Sequence, residues 1–296
     1  MNNSIQIGIV GTGRIGRALG RLLHSSGFPL VGMAGRSVES SREAAAFVGS
    51  GVTGDSVQGL SERATHLLLA VTDRALPEVV QKLAQQPTCA QVVLHTCGGR
   101  GPEILSPLGE RGAATGVLHP LQTVPTPEAG IAQLPGSYFA VAGDEEAWKW
   151  SQSIVEALGG KILRIHADRW PHYHAAAVMA SNYQTTLLDC ALELMDLAGV
   201  ESDMALPALY PIVQASTQNI FRLGPERALT GPIQRNDGET IRSHLAALRD
   251  AAPETSRLYA AAGLRTLPMA RRRGLPASET TEIKAALEAA LPGDVK

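Results

Sequence analysis

Up to residue 165 the chain alternates between short unbroken apolar runs and longer stretches in which apolar side chains return every third or fourth position. The runs at 5–10, 29–34, 66–71, 91–95, 114–118, 138–142 and 161–165 predict strands covered on both faces, since a half-exposed strand would alternate polar and apolar residues. Periodic stretches between them, 39–48, 75–85 and 144–158 among them, predict helices, with a weak strand inside 49–59. Thr72 and Asp73 are placed to cap the helix at 75–85, while 120–135, proline-rich and aperiodic, reads as a loop passing over the strand ends. Strands and helices that alternate with short connections predict an α/β fold built on a doubly wound parallel sheet. Beyond His166 the runs cease, and Ala, Leu and Met at helical spacing continue between breaks at Gly199, Pro207, Pro211, Gly224, Pro232, Gly238, Pro253 and Gly274. The expected organisation is therefore a sheet domain at 1–166 and an all-α domain at 167–296.

Gly11-Thr12-Gly13-Arg14-Ile15-Gly16 joins the first run to a stretch with leucines at helical spacing. That context gives G-x-G-x-x-G its meaning. Gly11 permits the tight turn, Gly13 lets the backbone approach a pyrophosphate, Gly16 lets the helix pack on the strand, and the helix's first N–H groups hold phosphate oxygens. A glycine-rich turn without a ligand is the plainer alternative. The dinucleotide reading makes 1–166 a domain of the Rossmann type. The end of the second strand then selects the cofactor: Arg36 and Ser37 stand there and the first acid is Glu39, which predicts NADP over NAD, unless Arg36 is only an exposed loop charge. Val71, Thr72 and Asp73, and Thr96 and Gly98, follow later strands at the same edge and are further candidate cofactor contacts.

Composition narrows the partners. With 26 Lys and Arg against 28 Asp and Glu, a net charge of −2 offers no general attraction to nucleic acid, and Arg271-Arg272-Arg273 is too short and isolated to supply one. Three cysteines without a C-x-x-C suggest neither a disulfide framework nor zinc, and fit a reducing cytoplasm. No leader pattern precedes the first run, and the apolar stretch 175–200 carries Asn182, Asp189, Glu193 and Asp196, a poor membrane span. A soluble cytoplasmic protein of two domains is expected.

Reduction of a substrate needs a group that moves a proton and groups that fix the substrate. Tyr173 to Asn182 supplies candidates: on one continuous helix His174, Val178 and Ser181 fall near a line with Asn182 beside it, about 12 Å from His174 along the axis. The segment 229–238 supplies Thr230 as a donor and Arg235 as a partner for a substrate carboxylate. His119, at a strand end before Pro120, is a third candidate. Each has a plainer reading as a satisfied core residue or an incidentally polar loop.

Taken together, G-T-G-R-I-G, H-T-C-G at 95–98, H-P-L at 119–121, Y-H-A-A-A-V-M-A-S-N at 173–182 and L-T-G-P-I-Q-R-N-D at 229–237 resemble bacterial proteins that join a Rossmann-like domain to a C-terminal domain of unknown function. That family is distantly similar to pyrroline-5-carboxylate reductase and ketopantoate reductase, whose helical domains are like that of 6-phosphogluconate dehydrogenase. The resemblance implies a helical, often dimerising, second domain and reduction by NADPH. Ketopantoate reductases carry Lys-x-x-x-Asn-x-x-x-Asn on the corresponding helix; the same spacing here reads His174, Val178, Asn182. The expectation is an NADP-dependent oxidoreductase, a homodimer, that reduces a small ketopantoate-like 2-keto acid in a cleft between the domains. His174 would donate the proton, Asn182 would position the substrate and Arg235 would bind its carboxylate. An imine reductase of the pyrroline-carboxylate type and a module that only senses NADP are the alternatives.

Overall fold

Apolar residues on both sides of each central strand are what place β1 (Ile7–Val10), β4 (His66–Leu69) and β5 (Val92–His95) in the middle of the sheet, where every residue is buried. Within β1, Ile7 and Ile9 enter one core and Val10 the other; in β4, Leu68 enters the first and Leu67 and Leu69 the second. This is the period of two expected of a strand buried on both faces. The computed structural model describes residues 5–291, so the ends of the two expected domains, 1–4 and 292–296, lie outside it.

Among the described residues eight strands form one sheet in the order β3-β2-β1-β4-β5-β6-β7-β8, with β2 (Leu30–Ala34), β3 (Thr53–Asp55), β6 (Ala114–Pro120), β7 (Tyr138–Gly143) and β8 (Lys161–Arg164) completing it. The first six run parallel. β7 runs antiparallel to β6, and β8 follows β7, so the sheet is not parallel throughout as the apolar runs suggested. An apolar run is the same read in either direction, and its pattern carries no sign. Helices α1 (Arg14–Ser25), α2 (Val38–Val48), α3 (Val57–Ser61), α4 (Leu76–Gln85), α5 (Ser106–Gly109), α6 (Pro127–Gln133) and α7 (Glu145–Ala157) connect the strands. α1, α2 and α7 cover one face and α3, α4 and α5 the other. Strand order reverses between β1 and β4, and ligands of such sheets bind beyond the strand ends at that point.

Two expectations fail here. The stretch 120–135 is not a plain loop: Thr126 accepts the amide of Ala129, Pro127 opens α6, and α6 packs so tightly on α1 that a Cβ on Gly130 would stand 2.7 Å from that of Ala18. Asp73 does not cap α4, whose N-cap is Ala75 without a side-chain bond; the Thr72 carbonyl instead accepts the amides of Ala75 and Leu76, and Asp73 is turned elsewhere.

The chain divides into two compact units after Asn182, beyond the change from strands to helices at His166. The first therefore includes α8 (Trp170–Ala180). The second contains α9 (Asn182–Leu197) except its first residue, α10 (Ser202–Leu223), α11 (Pro225–Ala228), α12 (Gly238–Ala251), α13 (Pro253–Arg272) and α14 (Thr281–Ala289). Its core is a three-helix arrangement of α12, α13 and α14 around Ile241, Leu245, Ala260, Leu267 and Leu287. No described helix is long and apolar enough to cross a membrane.

Candidate active site

The three glycines after β1 play three different steric parts. Gly11 has φ +127°, and a Cβ there would stand 2.2 Å from the carbonyl oxygen of Ala70. A Cβ on Gly16 would stand 2.0 Å from the carbonyl oxygen of Gly11, so α1 leaves the strand at contact distance. At Gly13, by contrast, nothing lies within 4 Å of where a Cβ would be. The backbone is bare at the N-cap of α1, with no side-chain cap and no acidic residue in the first turn. The amides of Arg14, Ile15 and Gly16 are those a helix leaves without internal partners, and they face this opening together with the positive end of the helix dipole. Arg17 braces the turn by donating from Nε to the Thr12 carbonyl at 2.9 Å. A pyrophosphate fits this cradle by shape and by charge.

Beside it, the end of β2 is polar. Gly35 donates to Ser41 Oγ, Ser37 caps α2 by accepting the amide of Ser40 at 3.2 Å, and Thr12 presses against Gly35. Arg36 is exposed and has no hydrogen bond or ion pair among the described residues.

The loops after β4 and β5 are cross-linked to each other. His95 is fully buried; its Nδ1 accepts the amide of Cys97 at 3.2 Å, which leaves the proton on Nε2 to be donated to the Gly101 carbonyl at 3.0 Å. Burial pushes His95 down to about 4, so both roles suit a neutral ring. The Cys97 thiol, pushed up to about 12 by burial, donates to the carbonyl of Val71 at 3.1 Å. Thr96, also buried, donates its amide to Leu69, and the Asp73 carboxylate accepts the amide of Gly99 at 2.9 Å. H-T-C-G thus builds a rigid platform. It ends in the pair Gly98, which is buried, and Gly99, which is exposed.

Onto that platform α8 brings three side chains. Trp170 is the one buried residue of α8, and its Nε1 donates to the Gly98 carbonyl at 2.8 Å. Tyr173 reaches His119 at the end of β6, with 2.6 Å between its hydroxyl and Nδ1. His174 stands next to it, its ring 6.2 Å from that of His119, centre to centre, and nearly perpendicular. A Cβ on Gly98 would lie 2.7 Å from Nε2 of His119 and 2.9 Å from Nε2 of His174, so both imidazoles crowd the same glycine. Burial, then the neighbouring His174, pushes His119 down to about 4 despite an opposing effect of Asp73; burial pushes the Tyr173 hydroxyl up to about 12. His119, Tyr173, His174 and Asp73 thus meet over Gly98 and Gly99. Trp170 is the member that sequence reasoning missed, and Tyr173 headed the candidate stretch without a role of its own, although Trp-Pro before Y-H marks where α8 begins.

The single helical face expected over 174–182 does not exist. α8 ends at Ala180, Ser181 leaves helical geometry at φ −121° and ψ −69°, and Asn182 opens α9. His174 and Asn182 therefore belong to different helices. Thr230 and Arg235 lie in the second unit, in the loop before α12, both exposed. Asn236 there adopts φ +56°, and Asp237 caps α12, accepting from the amide and hydroxyl of Thr240, which holds its carboxyl below the usual range. A cavity of about 490 Å³ lined by Thr115, Asp144, Trp148, Arg164 and His166 opens beside the start of β6, and neither His119 nor His174 lines it.

Comparison with known proteins matches this geometry at the level of domains. Residues 1–120 match the Rossmann-like domain, and residues 137–266 match a domain of unknown function, DUF2520. A Rossmann-like domain precedes a DUF2520 domain. The DUF2520 match begins at β7 and crosses the division between the two compact units. A search of curated proteins finds no match. Among solved structures, a proposed NADP oxidoreductase from Bacteroides fragilis is 24% identical with a TM-score of 0.70, over 89% of this chain and 98% of that one. An imine reductase from Myxococcus stipitatus, in complex with NAD+, is 14% identical with a TM-score of 0.62, over 98% of this chain and 100% of that one. The pyrroline carboxylate reductase of Plasmodium falciparum with NADP bound is 14% identical with a TM-score of 0.55, over 98% of each. These likenesses establish the fold.

Proposed function

We propose that the protein is an NADP-dependent oxidoreductase that reduces a small, ketopantoate-like 2-keto acid. The observation that carries the reading is the placement of two features on one edge of one sheet. The bare Gly13 cradle lies at the switch point, and the His119, Tyr173 and His174 group lies over the ends of β5 and β6. A dinucleotide laid across a switch point puts one nucleotide toward β2 and the other toward β4 and β5. The residues present fit it: backbone amides of α1 for the pyrophosphate, Arg36 and Ser37 for a 2′-phosphate, and the Gly98-Gly99 platform on the nicotinamide side. When bound, a reduced nicotinamide supplies hydride. The chain's own part is to hold the substrate and move a proton. His174 donates that proton to the substrate oxygen, and Asn182 is assigned to fixing the substrate.

An imine substrate is the second reading. Two of the three polar groups, His119 and Tyr173, stay neutral through ordinary pH, and Asp73 offers a carboxylate beside them, which suits a substrate that arrives as an iminium cation. The fold shared with an imine reductase is compatible with it. A panel of 2-keto acids and cyclic imines, followed by loss of NADPH absorbance, separates the two. His174→Ala should lower keto-acid turnover by about 100-fold or more while leaving NADPH affinity nearly unchanged. Full keto-acid turnover in this variant would remove His174 from the role.

A further inference from the structure

We propose that His119 is a neutral hydrogen-bond donor to the reacting oxygen of the substrate, and that Tyr173 is the positioning residue that fixes its tautomer. The inference rests on the oxidoreductase reading above.

The geometry begins with the 2.6 Å contact between the Tyr173 hydroxyl and His119 Nδ1. A phenol O–H is a better donor than an imidazole N–H, and an imidazole nitrogen is a better acceptor than a phenol oxygen. The stronger of the two pairings therefore has Tyr173 donating to Nδ1. The ring proton then resides on Nε2. That nitrogen lies against Gly98, 2.7 Å from where a Cβ there would stand, and the hydrogen bond of the His119 ring among the described residues is the one at Nδ1. The obvious backbone acceptor, the Gly98 carbonyl, is already bound by Trp170 Nε1 at 2.8 Å. A glycine is required at 98 because any Cβ would collide with both imidazoles, so the donor faces no side chain of its own platform.

The groups around His119 keep the ring uncharged. Burial disfavours a second proton most, His174 on α8 and His95 on β5 act with it, and Asp73 after β4 opposes them. A neutral N–H aimed where charge develops stabilises an oxyanion without giving up its proton, and is most effective where water is excluded. Reduced nicotinamide, when bound, would supply the hydride that the carbonyl carbon takes up as its π pair moves onto oxygen. The Nε2–H of His119 holds that charge by a hydrogen bond, and a proton leaves the His174 imidazolium to form the alcohol. His119 ends the step as it began, and His174 recovers its proton from solvent.

The test reads tautomers directly. In the cofactor-free, full-length protein labelled with ¹⁵N-histidine, two-bond ¹H–¹⁵N correlation should show His119 with a bare Nδ1 and a protonated Nε2, unchanged from pH 5.5 to 8. Tyr173→Phe, at an unchanged melting temperature, should move both nitrogens toward averaged shifts. A protonated Nδ1, or an imidazolium at pH 6, overturns the assignment whatever the enzyme does. In turnover, His119→Ala should lower kcat by about 100-fold. His119→Gln, whose amide can still donate from the Nε2 position, should recover part of it. If the tautomer is as expected but His119→Ala and Tyr173→Phe keep full kcat on a reduced substrate, the donor role is wrong and the oxidoreductase reading stands. If the wild type reduces nothing on the panel, that reading fails on its own.

Discussion

Gly13 and Gly11 are both glycine for steric reasons, but for opposite ones, and a methyl group tells them apart. At Gly13 a Cβ enters open space, so Gly13→Ala should leave the melting temperature unchanged while weakening NADPH binding, because the methyl group occupies the approach to the phosphates. At Gly11 a Cβ meets a backbone oxygen and the φ is one that L side chains avoid, so Gly11→Ala should cost about 2 kcal/mol or more of folding stability. Equal melting temperatures for the two variants would contradict the geometry. Arg36 adds the test of cofactor choice. It is exposed and uncommitted among the described residues, and one charge-assisted bond contributes about 1.5–3 kcal/mol. Arg36→Ala should therefore weaken NADPH by about ten- to hundredfold in a titration and barely change NADH. The two histidines were visible in the sequence because each interrupts an apolar context. Their partners were not, since Tyr173 and Trp170 meet His119 and Gly98 only across 54 and 72 residues of chain.

Among the elements, the platform after β5 has a consequence for stability. His95 titrates near 6.5 when unfolded and at about 4 when folded, so between those values the unfolded chain binds a proton that the native one refuses. Its contribution is fully present above pH 6.5 and is lost as pH falls toward 4, at up to about 1.4 kcal/mol per pH unit. His95→Gln keeps a donor and an acceptor but does not titrate; urea denaturation at pH 7, 5.5 and 4.5 should show a shallower decline than the wild type. An identical decline would mean that His95 is not held neutral. The strands were legible because interior strands of a parallel sheet must be apolar on both faces, as β1, β4 and β5 are. α6 was hidden by proline and glycine in a seven-residue helix with one buried position, although Thr126 before Pro127 was a usable start signal. The break at Ser181 has no such signal: Ala-Ser-Asn-Tyr contains neither glycine nor proline, and helical spacing ran through it unmarked.

At the scale of the whole molecule, α9 buries none of its sixteen residues and α10 buries only Ala205, yet both are rich in apolar side chains. Leu187, Leu197, Tyr210 and Ile212 are more than half exposed, and Phe221 is 87% exposed. Apolar surface on this scale marks an association site. We propose that a second copy of the chain covers it, as the expected homodimer requires. Light scattering at micromolar concentration should then give twice 31.2 kDa, and Ile212→Glu with Phe221→Glu should return it to the single mass; a monomeric wild type rules the dimer out. If one edge of one sheet holds NADPH and delivers its reducing power to a small carbonyl or imine, NADPH absorbance at 340 nm should fall when the wild-type protein meets a panel of 2-keto acids and cyclic imines. The expected result is substrate-dependent oxidation of NADPH, fastest with one class and abolished or nearly so by His174→Ala. NADPH that binds tightly yet is consumed with no member of either class would contradict it and leave a protein that only senses the nucleotide.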